Sequence, residues 1–150
     1  MRLRFLSFLL VTAACAGGAG TSDPMANRSP ETTVRAFLSA ARDTNLTLMA
    51  NYWGGSAGPA AVSKKPDDYE KRIRIMQKYL MNDSAKVANL GTVDGHPDQV
   101  LVTMRLFLGK CQNSVPFIVG KWKSQYLVQN VDVTSAGNPA RPCDDQGNPI

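Results

Sequence analysis

The 150-residue sequence predicts an α+β domain in which N-terminal helices pack on an antiparallel sheet of about four strands. Up to residue 80, apolar residues recur every three or four positions, which is the spacing of one helix face. From Ser84 onward the spacing approaches two and β-branched residues become dense, as in strands. Short joins between these strands favour antiparallel pairing of neighbours.

The first helix is predicted to begin at Ser29-Pro30-Glu31. Ser29 supplies a capping oxygen, Pro30 has no N–H to leave unpaired, and Glu31 favours the first turn. The helix ends near Arg42, and its apolar residues share one face: Val34, Phe37, Leu38 and Ala41.

Two more helices are predicted in the first half of the chain. One runs from Leu46 to Trp53 and stops at Gly54-Gly55, and residues 54–65 are predicted to form a loop. The other restarts at Pro66-Asp67-Asp68. Its apolar side carries Tyr69, Ile73, Met76 and Leu80.

Strands are predicted near residues 84–93, 99–110, 115–123 and 126–133, with turns at 94–98, 112–114 and 124–125. If Ser124-Gln125 is a two-residue turn, Trp122 faces Leu127 and Ile118 faces Val131 across the last hairpin. Both sides of this hairpin are partly apolar. One side is expected to receive the helices, and the other a partner, a pocket or the C-terminal tail.

The N-terminus predicts export. Arg2 and Arg4 precede a ten-residue apolar run at positions 5–14, which is the pattern of a signal peptide and is too short to span a bilayer. The following Thr12-Ala13-Ala14-Cys15 resembles the bacterial lipobox, with Thr12 where Leu is usual. The resemblance implies acylation of Cys15, residues 15–28 as a tether, and a membrane-anchored protein of the cell envelope that faces the periplasm or the exterior. The alternative is cleavage after Ala16 and a secreted protein.

The remaining two cysteines, Cys111 and Cys143, predict a disulfide, because an even pair outside the cytoplasm is most simply bonded. The bridge would pin the tail, residues 134–150, and its loop corresponds to roughly 3–4 kcal/mol in the chain-entropy model. Two cysteines and the single His96 are too few for a structural zinc site, so no metal or cofactor is predicted.

Charge argues against nucleic-acid binding. The formal charge is +5, and loss of Arg2 and Arg4 with the signal peptide leaves 15 basic and 12 acidic side chains, a net charge of +3. This is an ordinary solvated surface. No basic stripe with interleaved aromatic residues accompanies a recognisable nucleic-acid-binding module.

The order of elements resembles the nuclear transport factor 2-like cone fold of small bacterial lipoproteins, in which three helices precede a curled antiparallel sheet. The residues that carry this resemblance are Ser29-Pro30-Glu31 through Phe37, followed by Tyr52-Trp53-Gly54. The resemblance covers about residues 29–133. It implies a pocket between helices and sheet. Ketosteroid isomerase-like and dehydratase-like members place an Asp or His base there, while other members only bind or scaffold. No residue of this chain aligns with such a base, so no catalytic residue is assigned.

The candidate ligand-binding residues each have a plainer interpretation. Trp53, Tyr69 and Trp122 are candidates for stacking on a ligand, or else pack in the core. Arg105 is a candidate anion contact, or else forms a surface ion pair. Asp132 is a candidate general base, or else is exposed or paired with a neighbour such as Lys121.

The sequence favours a non-enzymatic lipoprotein that binds a small apolar or amphipathic ligand or another envelope protein. One alternative is an isomerase-like or dehydratase-like enzyme that uses a carboxylate base. The other is a structural or assembly module that dimerises through the sheet.

Overall fold

The computed structural model describes residues 28–150. The predicted signal peptide, Cys15 and the tether as far as residue 27 lie outside the described residues. The α-helices are α1 (Pro30–Arg42), α2 (Leu46–Tyr52), α3 (Ala60–Ser63) and α4 (Tyr69–Tyr79), and a 3₁₀-helix spans Val133–Ala136. The strands are β1 (Gly54–Gly55), β2 (Gly58–Pro59), β3 (Ser84–Val93), β4 (His96–Leu108), β5 (Cys111–Trp122) and β6 (Gln125–Val131).

Helix α1 confirms the predicted start and end. The Ser29 hydroxyl accepts a hydrogen bond from the Thr32 backbone N–H at 3.2 Å, which satisfies one of the free donors of the first turn. The predicted apolar face is at most 1% exposed, and it consists of Val34, Phe37, Leu38 and Ala41.

Helices α2 and α4 agree with the predicted second and third helices at slightly different ends. Helix α2 stops at Tyr52, one residue before the predicted end, and the Asn45 side chain caps its start by accepting from the Leu48 N–H at 2.9 Å. Helix α4 begins at Tyr69 rather than Pro66. Its predicted apolar side is partly or fully buried, with Ile73, Met76 and Leu80 in the core.

The prediction of a loop over residues 54–65 is wrong. Strands β1 and β2 pair as a small hairpin, and α3 follows. Trp53, just before β1, forms a parallel bridge with Val128 of β6, so the hairpin is attached to the edge of the main sheet. Gly58 has φ +101° and lies against the Trp122 indole. Long-range contacts rather than local propensity therefore hold this segment, which explains why its composition indicates a loop.

The main sheet is antiparallel with the order β3-β4-β5-β6, as predicted. Each hairpin has a two-residue turn, since Val93 pairs with His96, Leu108 with Cys111, and Trp122 with Gln125. The predicted turn at 112–114 is wrong, because these residues lie in β5 and the chain reverses at 109–110 instead. Gly109 adopts φ +56° there, a conformation that glycine tolerates without strain.

The predicted register of the last hairpin is also wrong. The turn is Lys123-Ser124, so Leu127 pairs with Gly120 rather than with Trp122. A register shift after Ile118 then pairs Ile118 with Asn130 and not with Val131. Lys123 occupies the left-handed region, with φ 52°, although it is not glycine. Composition places the turn at Ser124-Gln125, and no local signal moves it one residue earlier, to Lys123.

The inner face of the sheet packs directly on the helices. Its central side chains are fully buried, and they include Val102, Met104, Val115, Phe117 and Val119. Phe37 of α1 contacts Phe117 of β5 edge to face, with ring centroids 6.4 Å apart. In the described part of the chain, the space between helices and sheet is therefore a packed core.

The tail folds back on the start of β5. Cys143 is bonded to Cys111, with Cα atoms 5.4 Å apart. The buried Asn113 amide donates to the Ala136 carbonyl at 2.8 Å, and the Gln112 N–H donates to the Gly147 carbonyl at 3.4 Å. The tail is thus held by backbone contacts as well as by the bridge.

Candidate functional site

The two tryptophans lie at the β6 edge of the sheet. Trp53 is buried and Trp122 is half-buried against Gly58. Beside them is an open groove of about 380 Å³, lined by Trp53, the hairpin, Arg72 and Gln129. Arg72 is ion-paired with Asp68 at 2.8 Å, so its charge is already balanced. The tryptophans here pack the hairpin onto the sheet.

Tyr69 lies at the start of α4, away from both tryptophans. It borders a second groove of about 380 Å³ between α2, α3 and α4. Its hydroxyl accepts from the Lys64 ammonium at 3.3 Å and donates to the Glu70 carboxylate at 3.2 Å. Both bonds tie the ring to neighbours on the surface, which is the behaviour of an amphipathic aromatic residue at a rim.

Arg105 lies on the outer face of the sheet, the face turned away from the helices. It pairs across the ladders with Lys86 of β3 and Ser114 of β5, and it is exposed. The depression beside it is shallow and is bordered by the tail at residues 147–149. Gly120, whose missing side chain could have left room on this face, is covered by Gln129 instead.

Asp132 caps the 3₁₀-helix. Its carboxylate accepts hydrogen bonds from the Ser135 and Thr134 hydroxyls, each at 2.6 Å, and from the Thr134 backbone N–H at 3.2 Å. The Ser135 hydroxyl, followed by that of Thr134, lowers the pKa of Asp132. A general base works best when its pKa lies near the operating pH, whereas these hydrogen bonds lower the pKa of Asp132 and commit its oxygens, so the geometry favours the capping role.

The five candidates therefore do not form one site. Trp53 and Trp122 share the hairpin edge, Tyr69 lies among the helices, Arg105 on the opposite face, and Asp132 beyond β6. Among residues 28–150, every Asp and Glu side chain is at least partly exposed. No group of three or more His, Cys, Asp or Glu residues is placed to hold a metal ion in that range.

Sequence reasoning missed a groove of about 270 Å³ between the end of α4, the inner end of the sheet and the tail. Asn113 lines it, and its Oδ1 is buried without a hydrogen-bond partner. The Asn113 amide group is committed to the Ala136 carbonyl, which fixes its orientation. No local signal marks this groove, because it exists only where the tail returns to the sheet.

Two surfaces stand out for possible contacts with other molecules. The first is the β3 edge, residues 84–93, which has β4 as its only strand neighbour among the described residues. Leu90 on this edge is 51% exposed, and Lys86 is its only charged residue. The second is the outward face of α4, where Lys71, Arg74, Ile75 and Lys78 are all exposed.

Comparisons with known proteins identify no family for this chain. No family model matches it, and neither do any curated proteins or solved structures. Within residues 28–150, no helix is long and apolar enough to cross a membrane.

Proposed function

We propose that this protein is an exported lipoprotein, anchored through Cys15, whose domain binds another protein of the cell envelope by strand pairing along β3. The observation that carries the proposal is the contrast between a filled interior and an unpaired sheet edge. The central side chains of both layers are fully buried, and the groove of about 270 Å³ beside Asn113 opens only at the rim of this core, where α4 and the sheet meet the tail. Binding is therefore assigned to the outside of the domain.

The edge has the chemistry that strand addition needs. An edge strand presents a row of backbone N–H and C=O groups, and an added strand satisfies them while side-chain contacts give specificity. Residues 87–93 carry no charged side chain, but the register of β3 shifts between Val87 and Asn89 and between Thr92 and Val93, so the regular stretch open to an incoming strand is residues 89–92 around Leu90. The fitting partner is an extended segment with an apolar residue to cover Leu90 and an acidic residue near Lys86.

We assign the domain a binding role and no catalytic role, because of the exposure and the pKa values of its carboxylates. The structure has no buried acid among residues 28–150, and the pKa values that shift, those of Asp68, Asp132 and Asp144, are all lowered by hydrogen bonds. An isomerase-like or dehydratase-like site would instead bury a carboxyl group and raise its pKa. The order of helices followed by sheet supports the nuclear transport factor 2-like cone as the finer fold, used here for binding or scaffolding.

The anchor is tested by replacing Cys15 with Ala and by mass spectrometry of the mature N-terminus. We expect the unmodified chain in the membrane fraction with an acylated Cys15, and the Cys15→Ala variant in the soluble fraction. Unchanged partitioning, or a mature chain that lacks Cys15, would contradict the lipoprotein assignment and leave the secreted alternative.

The edge is tested by a photo-crosslinking amino acid placed at Leu90, with the same residue at Val62 as a matched control. Val62 is also apolar and is 73% exposed, but it lies on α3. We expect adducts of one defined partner from position 90 and none from position 62. An adduct with the mass of two copies would instead establish the homodimer through the sheet, and equal adducts from both positions would refute a specific edge.

A further inference from the structure

The outward face of α4 carries a basic stripe, defined here as Lys71, Arg74, Ile75 and Lys78. At about 100° per residue, these four positions fall within about 100° of arc. The buried residues of the same helix, Ile73, Met76 and Leu80, are centred about 180° away. The stripe therefore points directly away from the core.

The charges of the stripe are only partly balanced by neighbours, since Asp68, the partner of Arg72, also attracts Lys71. The ion pair of α4 joins Arg72 to Asp68 and lies at the flank of the helix. Within residues 28–150, Lys71, Arg74 and Lys78 form no ion pair within 4.0 Å and no side-chain hydrogen bond. Glu70, the nearest acid in the groove along this face, accepts from the Tyr69 hydroxyl. The face keeps its positive charge.

An apolar side chain lies in the middle of these cations. Ile75 is 43% exposed, although the opposite side of the helix offers a core. A single exposed apolar side chain is common on protein surfaces, so what distinguishes Ile75 is the three cations around it. Cations that flank an exposed apolar residue are instead typical of a helix at a membrane interface, where the cations bind headgroups and the apolar group enters the acyl boundary.

We propose that the basic stripe lies on the anionic headgroups of the membrane that holds Cys15. This rests on the proposed lipid anchor. About 12 residues separate Cys15 from Arg28, a distance of at most about 40 Å when fully extended, so the domain stays near the bilayer. Contact through the helices leaves the outer face of the sheet and the β3 edge open to a partner.

The test uses the membrane-purified protein with Ile75→Cys, labelled with a polarity-sensitive fluorophore and reconstituted into vesicles. With Cys15 acylated and Cys111 bonded to Cys143, the introduced thiol is the one available for labelling. The vesicles contain phosphatidylcholine alone or an equal mixture with phosphatidylglycerol, and each includes a lipid-borne quencher. Leu90→Cys, on the sheet edge, is the matched labelling control.

We expect quenching at position 75 only in vesicles with phosphatidylglycerol, and none at position 90. Adding Lys71→Gln, Arg74→Gln and Lys78→Gln should lower the ratio of bound to free domain about 100-fold, because each cation contributes roughly five-fold near an anionic surface. The control Lys86→Gln, Arg105→Gln and Lys121→Gln removes the same charge from exposed sheet residues and should retain the contact.

Absence of quenching at position 75, equal quenching in both lipids, or equal loss in the two triple variants would overturn the proposal. Mass spectrometry of the same sample separates this failure from failure of the anchor. If Cys15 proves to be unacylated or removed, the labelled soluble chain mixed with the same vesicles tests the stripe independently.

Discussion

The two edges of the main sheet end in different ways. At the β6 edge, Trp53 bridges to Val128, the hairpin of β1 and β2 attaches beside it, and Gly58 packs on Trp122. At the β3 edge, no further strand follows among residues 28–150. An unpaired edge strand can pair with other chains, so proteins commonly cover it or place charged side chains along it. The β3 edge has no covering hairpin, and it is interrupted by two register shifts and by a hydrogen bond from Arg35 to the Ala85 carbonyl, so pairing is expected at residues 89–92.

The largest loss of stability is expected when the hairpin of β1 and β2 no longer packs on the β6 edge. Gly58→Ala places a methyl group 2.7 Å from the Trp122 ring at a residue with φ +101°. Backbone strain of about 1–3 kcal/mol and a clash of similar size should destabilise the domain by about 4 kcal/mol. Gly55→Ala is the control, since nothing lies within 4 Å of its added methyl group. Chemical denaturation followed by tryptophan fluorescence measures the free energy of unfolding of each variant. Equal losses of stability in Gly58→Ala and Gly55→Ala would mean that the hairpin does not protect this edge.

Removing the disulfide loosens the tail that covers the start of β5, which lies apart from both sheet edges. Replacing both Cys111 and Cys143 with Ser should lower the free energy of unfolding by about 3 kcal/mol, mainly by freeing the unfolded chain. Crosslinking at the β3 edge should not change while the domain stays folded. Loss of less than about 1 kcal/mol would show that the backbone contacts of the tail suffice.

Removing the Asp132 side chain that caps the 3₁₀-helix after β6 should lower the free energy of unfolding by about 1 kcal/mol. Asp132→Ala removes the acceptor for the Thr134 and Ser135 donors. Because these bonds lower the pKa of Asp132, its stabilisation is fully present above the ordinary carboxyl pKa of about 4 and is lost as the pH falls further. The difference in urea midpoint between wild type and variant should therefore be larger at pH 7 than at pH 3. Asp98→Ala, another exposed acid, controls for charge.

A substitution at the β3 edge is expected to change the stability of the domain least. Leu90→Lys changes a residue that is already 51% exposed, so unfolding should shift by less than about 0.5 kcal/mol. Pairing with another strand should be abolished, because lysine is the residue that blunts natural edges. Size-exclusion chromatography of the partner complex measures this loss. A complex that survives Leu90→Lys would contradict pairing at this position.

Local patterns predicted the helices better than the turns. Ser29 and the apolar face of α1 are short-range signals, and the structure confirms them. The start of the last turn at Lys123 and the hairpin at 54–59 have no such signal, since Lys123 takes a positive φ and strands β1 and β2 have two residues each. Both are imposed by the pairing of neighbouring strands.

The candidate site was harder to predict than the fold. Trp53 and Trp122 were singled out as aromatic residues, but only the structure brings both to the hairpin edge. The buried oxygen of Asn113 gave no signal at all, because it depends on where the tail returns. Sequence spacing describes neighbours along one element, whereas a site combines elements that are far apart in the chain.

Apolar spacing and short joins act locally, and they predict α1, α2, α4 and the antiparallel meander of the four long strands from the sequence alone, but not α3 or the hairpin of β1 and β2. Tertiary structure decided the register of β5 on β6, the packed interior, and which edge and which helix face stay exposed. These features depend on volumes and pairings summed over distant residues, and a one-residue shift that local energies barely distinguish moves every side chain to the opposite face.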